Sequence, residues 1–290
     1  MSEQDTLRRF IFENHNVRGE WVHLDTSLIE AKQHQQLVSP AIESQLGQAL
    51  AAVALLSATI KFQGAMIMQI QGKGELTALV AQANQQQQIR GLVRSSDTVT
   101  GHNLKTLLGE GGRLVLTIES ENGERYQGIV GVEADNLAQV LETYFQQSEQ
   151  LSTRLWLFAH PQRAAGLLLQ ELPGTANRDP QDWERIQILA DTLTAEEMLS
   201  LDCETLLHRL FHEEQVRLYD PEPVAFRCSC SSEKISTTLV ALGQEELKSI
   251  IHEHGEIQVD CQFCGAHYRF DAQDVERLIF DTPAVPTTLH

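Results

Sequence analysis

Four of the five cysteines in this chain stand in two tight pairs near its C-terminus, Cys228-Ser-Cys230 and Cys261-Gln-Phe-Cys264, with 30 residues between the pairs. Two short chelating loops joined by one intervening segment bring four thiolates around a tetrahedral zinc ion at little loop-closure cost. The spacing therefore predicts one Zn2+ held by Cys228, Cys230, Cys261 and Cys264, and a local fold that depends on it. The first loop is unusual: a single residue lies between its ligands, where most zinc knuckles have about two to four.

Metal rather than disulfide chemistry requires a reducing compartment. The N-terminus, Met1-Ser-Glu-Gln-Asp-Thr6, has neither a basic nor an apolar leader region, and the most apolar stretch, Ala49 to Ala58, is read as too short to span a bilayer. A cytoplasmic protein with no membrane partner is expected. Asp and Glu number 40 against 22 Lys and Arg, a formal charge of −18. Nucleic acid is a poor partner for such a chain, because phosphate binding is mostly counterion release by clustered Lys and Arg.

At 290 residues and 42% hydrophobic, the chain can build one large domain and a small one. Residues 1–174 predict an N-terminal α+β domain with mixed, largely antiparallel sheet. Phe10 to Phe12 and Trp21 to Leu24 read as strands around a turn at Gly19, Asp25 caps a short helix, and Pro40 opens a longer one through Ile42, Leu46, Leu50, Val53 and Leu56. Strands follow at Met66–Ile70, Leu76–Ala81, Ile89–Val93, Leu114–Ile118 and Tyr126–Val132, the last two joined by an Asn122-Gly123 hairpin. Asp135 starts an amphipathic helix through Leu137, Val140, Leu141, Tyr144 and Phe145, and Leu155–Phe158 and Leu167–Leu172 return to strand. Gln85 to Gln88 reads as a solvated loop.

Pro173-Gly174 ends that region, and residues 175–223 read as a helical linker. From Arg178 to Glu222 it carries twelve acidic and four basic residues alongside Trp183, Ile186, Ile188, Leu189, Met198, Leu199, Leu206, Leu207, Leu210 and Phe211. Such helices are apolar enough to need a docking surface and charged enough to survive in water once undocked. The pattern fits a switchable linker; by itself it fits a permanently docked arm better. Residues 224–290 form the third part, a small zinc-binding domain with helices at Ile235–Leu242, Glu245–His252 and Asp271–Ile279 and a strand at Ile257–Val259, with Tyr268 and Phe270 behind the second cysteine pair. A unit of roughly 65 residues builds little core of its own, and structural zinc contributes an apparent ~10 to 16 kcal/mol.

Metal-bound cysteines are thiolates at neutral pH, the form that attacks oxidants. Each cysteine has a partner in its own pair, so the site holds the makings of a redox switch, although most four-cysteine zinc sites are purely structural and spacing alone favours a permanent zinc ribbon.

The wider sequence changes that balance. Val17-Arg-Gly-Glu20, Leu55-Leu56, Ala58-Thr59, Lys61-Phe-Gln-Gly64, Gln69-Ile-Gln-Gly72, Tyr126-Gln-Gly-Ile-Val130 and Tyr144-Phe145 with Ser148-Glu-Gln150 stand in order before Leu210-Phe-His-Glu213, Phe226-x-Cys228-x-Cys230-Ser231 and Cys261-x-x-Cys264-Gly265. Over essentially its full length the chain resembles the redox-regulated 33 kDa heat-shock chaperonin family. It departs at Ser232, where the pattern more often has a basic residue, while Lys234 keeps a positive charge close by. The resemblance implies an ATP-independent holdase for unfolded or partially folded clients, silent while reduced and zinc-bound. It also implies disulfides on oxidation, Cys228 with Cys230 and Cys261 with Cys264, together with zinc release, homodimerisation and ATP-dependent refolding chaperones downstream. An enzyme is not expected.

The remaining candidates are weak. No G-x-x-x-x-G-K-[ST] phosphate loop occurs, and Gly72-Lys-Gly74 is only a glycine pair. Cys203 reads as a packed small hydrophobe. His208 and His212 share a helix face but lack the glutamate of H-E-x-x-H, Arg209 following the first. His252, His254 and His267 read as surface residues. A nucleic-acid zinc ribbon would need a basic face, and a zinc hydrolase an open coordination position that four cysteines fill.

Overall fold

The computed structural model describes residues 4–173 and 180–280. It divides into two compact units, Met1–Arg227 and Cys228–His290. The expected boundary at 174/175 lies outside the described residues, as do Arg178 and Asp179.

Unit 1 is built on a helix that has no polar side. After Thr6–Phe12 (β1), Val17–Leu24 (β2) and Thr26–Lys32 (α1) comes Pro40–Thr59 (α2), whose first turn carries proline and is capped by the Ser39 hydroxyl accepting from Ile42 N–H. Almost every residue of α2 beyond its first turn is buried, because sheets lie against it on both sides. One sheet follows from Gly64–Gln71 (β3), Leu76–Asn84 (β4), Gln88–Ser95 (β5), Leu104–Leu108 (α3), Arg113–Ser120 (β6) and Arg125–Gly131 (β7). The other continues, after Leu137–Tyr144 (α4) and a π-helical turn at Phe145–Glu149, with Thr153–His160 (β8) and Arg163–Glu171 (β9). The antiparallel order β1-β2-β9-β8 faces α2 from one side and β5-β4-β3-β6-β7 from the other. By length and composition α2 can cross a membrane, so the Ala49–Ala58 reading was too short; 78% of its apolar window is buried inside this unit, as in a core helix.

The first sheet buries both faces. Leu7, Val22, Leu24 and Leu168 face α2, while Phe10, Phe12, Trp21, Leu167 and Leu169 point the other way into a second core. That second core is closed by the helices of the arm, Pro180–Ala190 (α5), Ala195–Ser200 (α6) and Cys203–Phe211 (α7), through Ile186, Ala190, Met198, Leu206, Leu210 and Phe211. In this structure the arm is docked. The chain then runs back along the sheets as Val216–Leu218 (β10) and Glu222–Pro223 (β11), both against β1, and Ala225–Phe226 (β12) against β5.

Several local expectations need correction. Gly19 is not a turn residue: it pairs with Phe10 inside β2, and a Cβ there would sit 2.1 Å from the Phe10 ring, so the glycine makes room for an aromatic across the ladder. Asp25 precedes α1 but makes no side-chain cap; the Asp5 carboxylate accepts from the N–H groups of Asp25, Thr26 and Ser27, freeing Asp25 to hold Arg163 at 2.6 Å. The cap of α4 is Asn136 rather than Asp135. Gln87 is buried, turned inward at φ +56° to donate to the Ser57 hydroxyl at 3.1 Å, whereas Gln85 and Gln86 are exposed.

Glu20 is the least expected core residue. It is 2% exposed, beside Arg18 at 3.9 Å, and burial pushes its carboxyl from 4.5 up to about 7 against the pull of Arg18 and Arg9. A carboxyl raised in the folded state binds its proton there when the unfolded chain has already released it. Stability from this group therefore falls as pH rises from about 4.5 to about 7 and stays low above. Glu20→Gln is expected to flatten that part of the profile. The difference between wild type and variant in urea-unfolding free energy should change by roughly 1–3 kcal/mol between pH 5 and pH 8; a constant difference would contradict the assignment.

Candidate metal centre

Unit 2 is assembled from Ser232–Val240 (α8), Gln244–His254 (α9), the hairpin Ile257–Asp260 (β13) and His267–Phe270 (β14), and Ala272–Phe280 (α10). Its core is small: Leu239, Leu247, Ile257, Phe270 and Val275 are the residues of its buried cluster. The thiols sit where the start of this unit meets the loop of its hairpin.

The second pair lies in the tight loop between β13 and β14. Cys261 N–H donates to the Ala266 carbonyl at 2.9 Å and Gly265 N–H returns to the Cys261 carbonyl at 2.7 Å. That closure needs a left-handed residue, and Gly265 supplies it at φ +68°. The loop then turns backbone N–H groups on the sulfurs, those of Cys264 and Phe263 on Cys261 Sγ and that of Ala266 on Cys264 Sγ. The first pair enters from the other side, and the next residue, Ser231, caps α8 by accepting from Lys234 N–H at 3.3 Å. The one-residue spacing therefore leads directly into a helix start.

All four sulfurs lie within 4.8 Å of one another, with Cys228 and Cys261 Sγ atoms 3.6 Å apart and those of Cys230 and Cys264 3.4 Å apart. A tetrahedral Zn–S shell at about 2.3 Å spaces its sulfurs by about 3.8 Å, so the donor set and its spacing fit a zinc ion. None of the four cysteines takes part in a disulfide. Burial pushes Cys264 up to about 12 and raises Cys261 as well, so without a cation these groups are neutral thiols crowded together. The Tyr268 hydroxyl bonds to Cys230, and this contact, with burial, moves the phenol up to about 12. Tyr268 shares a strand face with the buried Phe270, which is the signal by which alternation could have placed it near the thiols.

The other candidates fall away from this centre. Cys203 is fully buried in the second core of unit 1. His208 and His212 are exposed with ring centroids 6.1 Å apart, and His252, His254 and His267 are exposed, His267 paired with Asp260. Among the described residues, the four cysteines form the metal-competent cluster of His, Cys, Asp and Glu side chains.

Sequence reasoning missed the polar clasps on the arm. His15 lies between Asp182 of α5 at 2.8 Å and Glu214 at 3.0 Å, with Arg185 against Glu214 at 3.0 Å. Buried His23 meets the Met198 carbonyl at 2.6 Å, and Arg163, already holding Asp25, donates to the Leu199 carbonyl at 2.7 Å. These contacts span from 29 to 199 residues of chain and leave no local motif.

The fold and the site define an α+β protein with a docked amphipathic arm and, in a separate unit, a four-thiol cluster. The model of the family described as "Hsp33 protein" matches residues 5–271. Over 99% of both chains the protein is 52% identical to the 33 kDa chaperonin of Nitrosococcus oceani, and it is 45% identical to that of Pseudomonas aeruginosa over 96% of this chain and 95% of the relative. Its fold matches the crystal structure of the 33 kDa chaperonin (heat shock protein 33 homolog) from Thermotoga maritima with a TM-score of 0.81 at 22% identity, covering 95% of this chain and 98% of that one. The chain belongs to the Hsp33 family, and the names its relatives carry support a chaperone role.

Proposed function

We propose that this protein is a redox-gated, ATP-independent holdase of the cytoplasm, which captures unfolded or partially folded clients after oxidation and is silent when reduced and zinc-bound. The observation that carries the reading is the presence, in one chain, of a four-thiol unit with a small core and of an arm that covers a large apolar face of the other unit. In the reduced form Cys228, Cys230, Cys261 and Cys264 hold one Zn2+, which fixes the unit and keeps the sulfurs as thiolates. Oxidation joins Cys228 to Cys230 and Cys261 to Cys264. Each pair of thiolates gives up two electrons to one peroxide as its S–S bond forms and the O–O bond breaks, so four thiolates, two H2O2 and four protons yield two disulfides, four waters and a released Zn2+.

Once the unit loses order, the arm lets go and bares Phe10, Phe12, Trp21, Leu167 and Leu169 as well as its own Leu206, Leu210 and Phe211. Contiguous apolar surface of this kind binds unfolding chains. A homodimer of the oxidised form doubles that surface and raises avidity, and ATP-dependent refolding chaperones take the clients onward. The acidic excess keeps the opened form in solution. The chemistry is tested by titrating reduced protein with peroxide while zinc release and free thiols are followed together. One zinc per chain and the four thiols of the cluster should be lost in parallel; loss of thiols with full zinc retention would contradict the reading.

A further inference from the structure

The strand that leads into the thiol unit sits apart from the plan of its sheet. That sheet is antiparallel from β5 to β7, but at the β5 edge Ala225–Phe226 lies parallel, opposite Gln88 and Ile89. Ala225 N–H donates to the Gln87 carbonyl at 3.1 Å and Arg227 N–H to the Ile89 carbonyl at 3.0 Å. Farther along the same strand, Val93 N–H donates to the side-chain oxygen of Gln35 at 3.1 Å. The edge is thus closed by a four-residue stretch and a borrowed side chain rather than by a full strand. A bare strand edge is a template for any extended chain.

The short strand also acts as an apolar plug. Val224 is 3% exposed within the main core and Phe226 is half-buried against it, while Ala225 between them is exposed. Val224 is pinned from behind by its N–H to the Asp5 carbonyl at 2.7 Å. Only Arg227 separates Phe226 from the first cysteine of the cluster, so disorder that begins at Cys228 reaches this strand before any other part of unit 1.

We propose that the outer edge of β5 is a docking groove for an extended apolar segment of a client, occupied by Val224–Arg227 as a built-in placeholder until the thiol unit loses order. The inference rests on the holdase reading and adds a second place, apart from the face covered by the arm, at which such a client is held. The placeholder defines the occupant's chemistry: a strand parallel to β5, hydrogen-bonded to the carbonyls of Gln87 and Ile89, with apolar side chains two residues apart at the places of Val224 and Phe226. Backbone pairing is blind to sequence, which suits a protein that must accept many unfolding chains.

The test uses the full-length, reduced, zinc-loaded chain, wild type and Val224→Ser/Phe226→Ser, with Phe226→Ala as a milder variant. The probe is a fluorescein-labelled peptide of residues 222–227, beside a control peptide with serine at its valine and phenylalanine positions. The variants should bind the probe at least ten-fold more tightly than reduced wild type, the control should bind at least ten-fold more weakly, and the probe should restore hydrogen-exchange protection at Ile89. Equal affinity for both peptides, equal affinity of variants and wild type, or protection gained elsewhere would overturn the proposal. So would variants that dimerise by exchanging this strand instead of taking the probe. Because no oxidant is used, failure here leaves the cysteine switch standing, and failure of the switch leaves this result standing.

Discussion

Stripping zinc from the reduced protein, by chelation or through Cys261→Ser, is expected to unfold residues 228–280 while residues 4–173 keep their fold. The two units differ in what holds them. Unit 1 buries a continuous core around α2, with sheet on both sides, whereas unit 2 has five residues in its buried cluster. A core that small does not offset the ordering of some fifty residues, and the apparent ~10–16 kcal/mol of a structural zinc site decides the balance. Cys261 is the most buried of the four ligands and receives two backbone N–H groups, so replacing its sulfur leaves three thiolates and an incomplete shell. Hydrogen exchange should show the amides of α8, α9 and β13 losing protection by orders of magnitude, with those of β3 and β4 unchanged. A metal-free protein that retains protection in unit 2 would show that the thiol cluster is not what holds it.

The second large effect is expected from Leu206→Asp, which should undock the arm with zinc and thiols untouched. Leu206 is fully buried in the second core, on the face of α7 that also carries Cys203, Leu207, Leu210 and Phe211. An unpaired carboxylate in that position costs several kcal/mol, and a nine-residue helix that loses its docking face does not hold its hydrogen bonds alone in water. The reduced variant should lose exchange protection over α5 to α7 and should suppress aggregation of a heat-denatured client nearly as well as oxidised wild type. An undocked arm without protection of the client would mean that exposure of this face is not the source of activity, and the connection drawn between arm and function would fail.

How far the sequence reveals this molecule depends on the range over which each feature is encoded. The thiol centre is local: two pairs of ligands, a glycine immediately after Cys264 and a capping serine after Cys230 determine most of its geometry. Strands of the second sheet were legible because period-two alternation and the Asn122-Gly123 turn are local as well. Gly19 was misread because glycine signals a turn unless the residue opposite it is known, and Phe10 lies across the ladder. The helix α2 was legible from Pro40 and the spacing of Ile42, Leu46, Leu50, Val53 and Leu56, but its burial on all sides was not, because only the packed sheets supply it. Arm docking was legible only as an apolar face without a partner. The clasps of His15, His23 and Arg163 join segments far apart in sequence, and nothing near any one of these residues announces the others. Glu20 is invisible for the same reason: only the packed structure shows a carboxylate placed among core residues.

The central claim is that the cysteines gate exposure of the apolar face. The most direct measurement is light scattering from a heat-denatured client, without nucleotide and at matched chaperone concentration, with reduced, peroxide-oxidised and re-reduced zinc-reloaded protein. The account predicts weak protection by the reduced form, strong protection by the oxidised, zinc-free form, and return to weak protection once thiols and zinc are restored. Equal protection by the reduced zinc form and the oxidised form would contradict it.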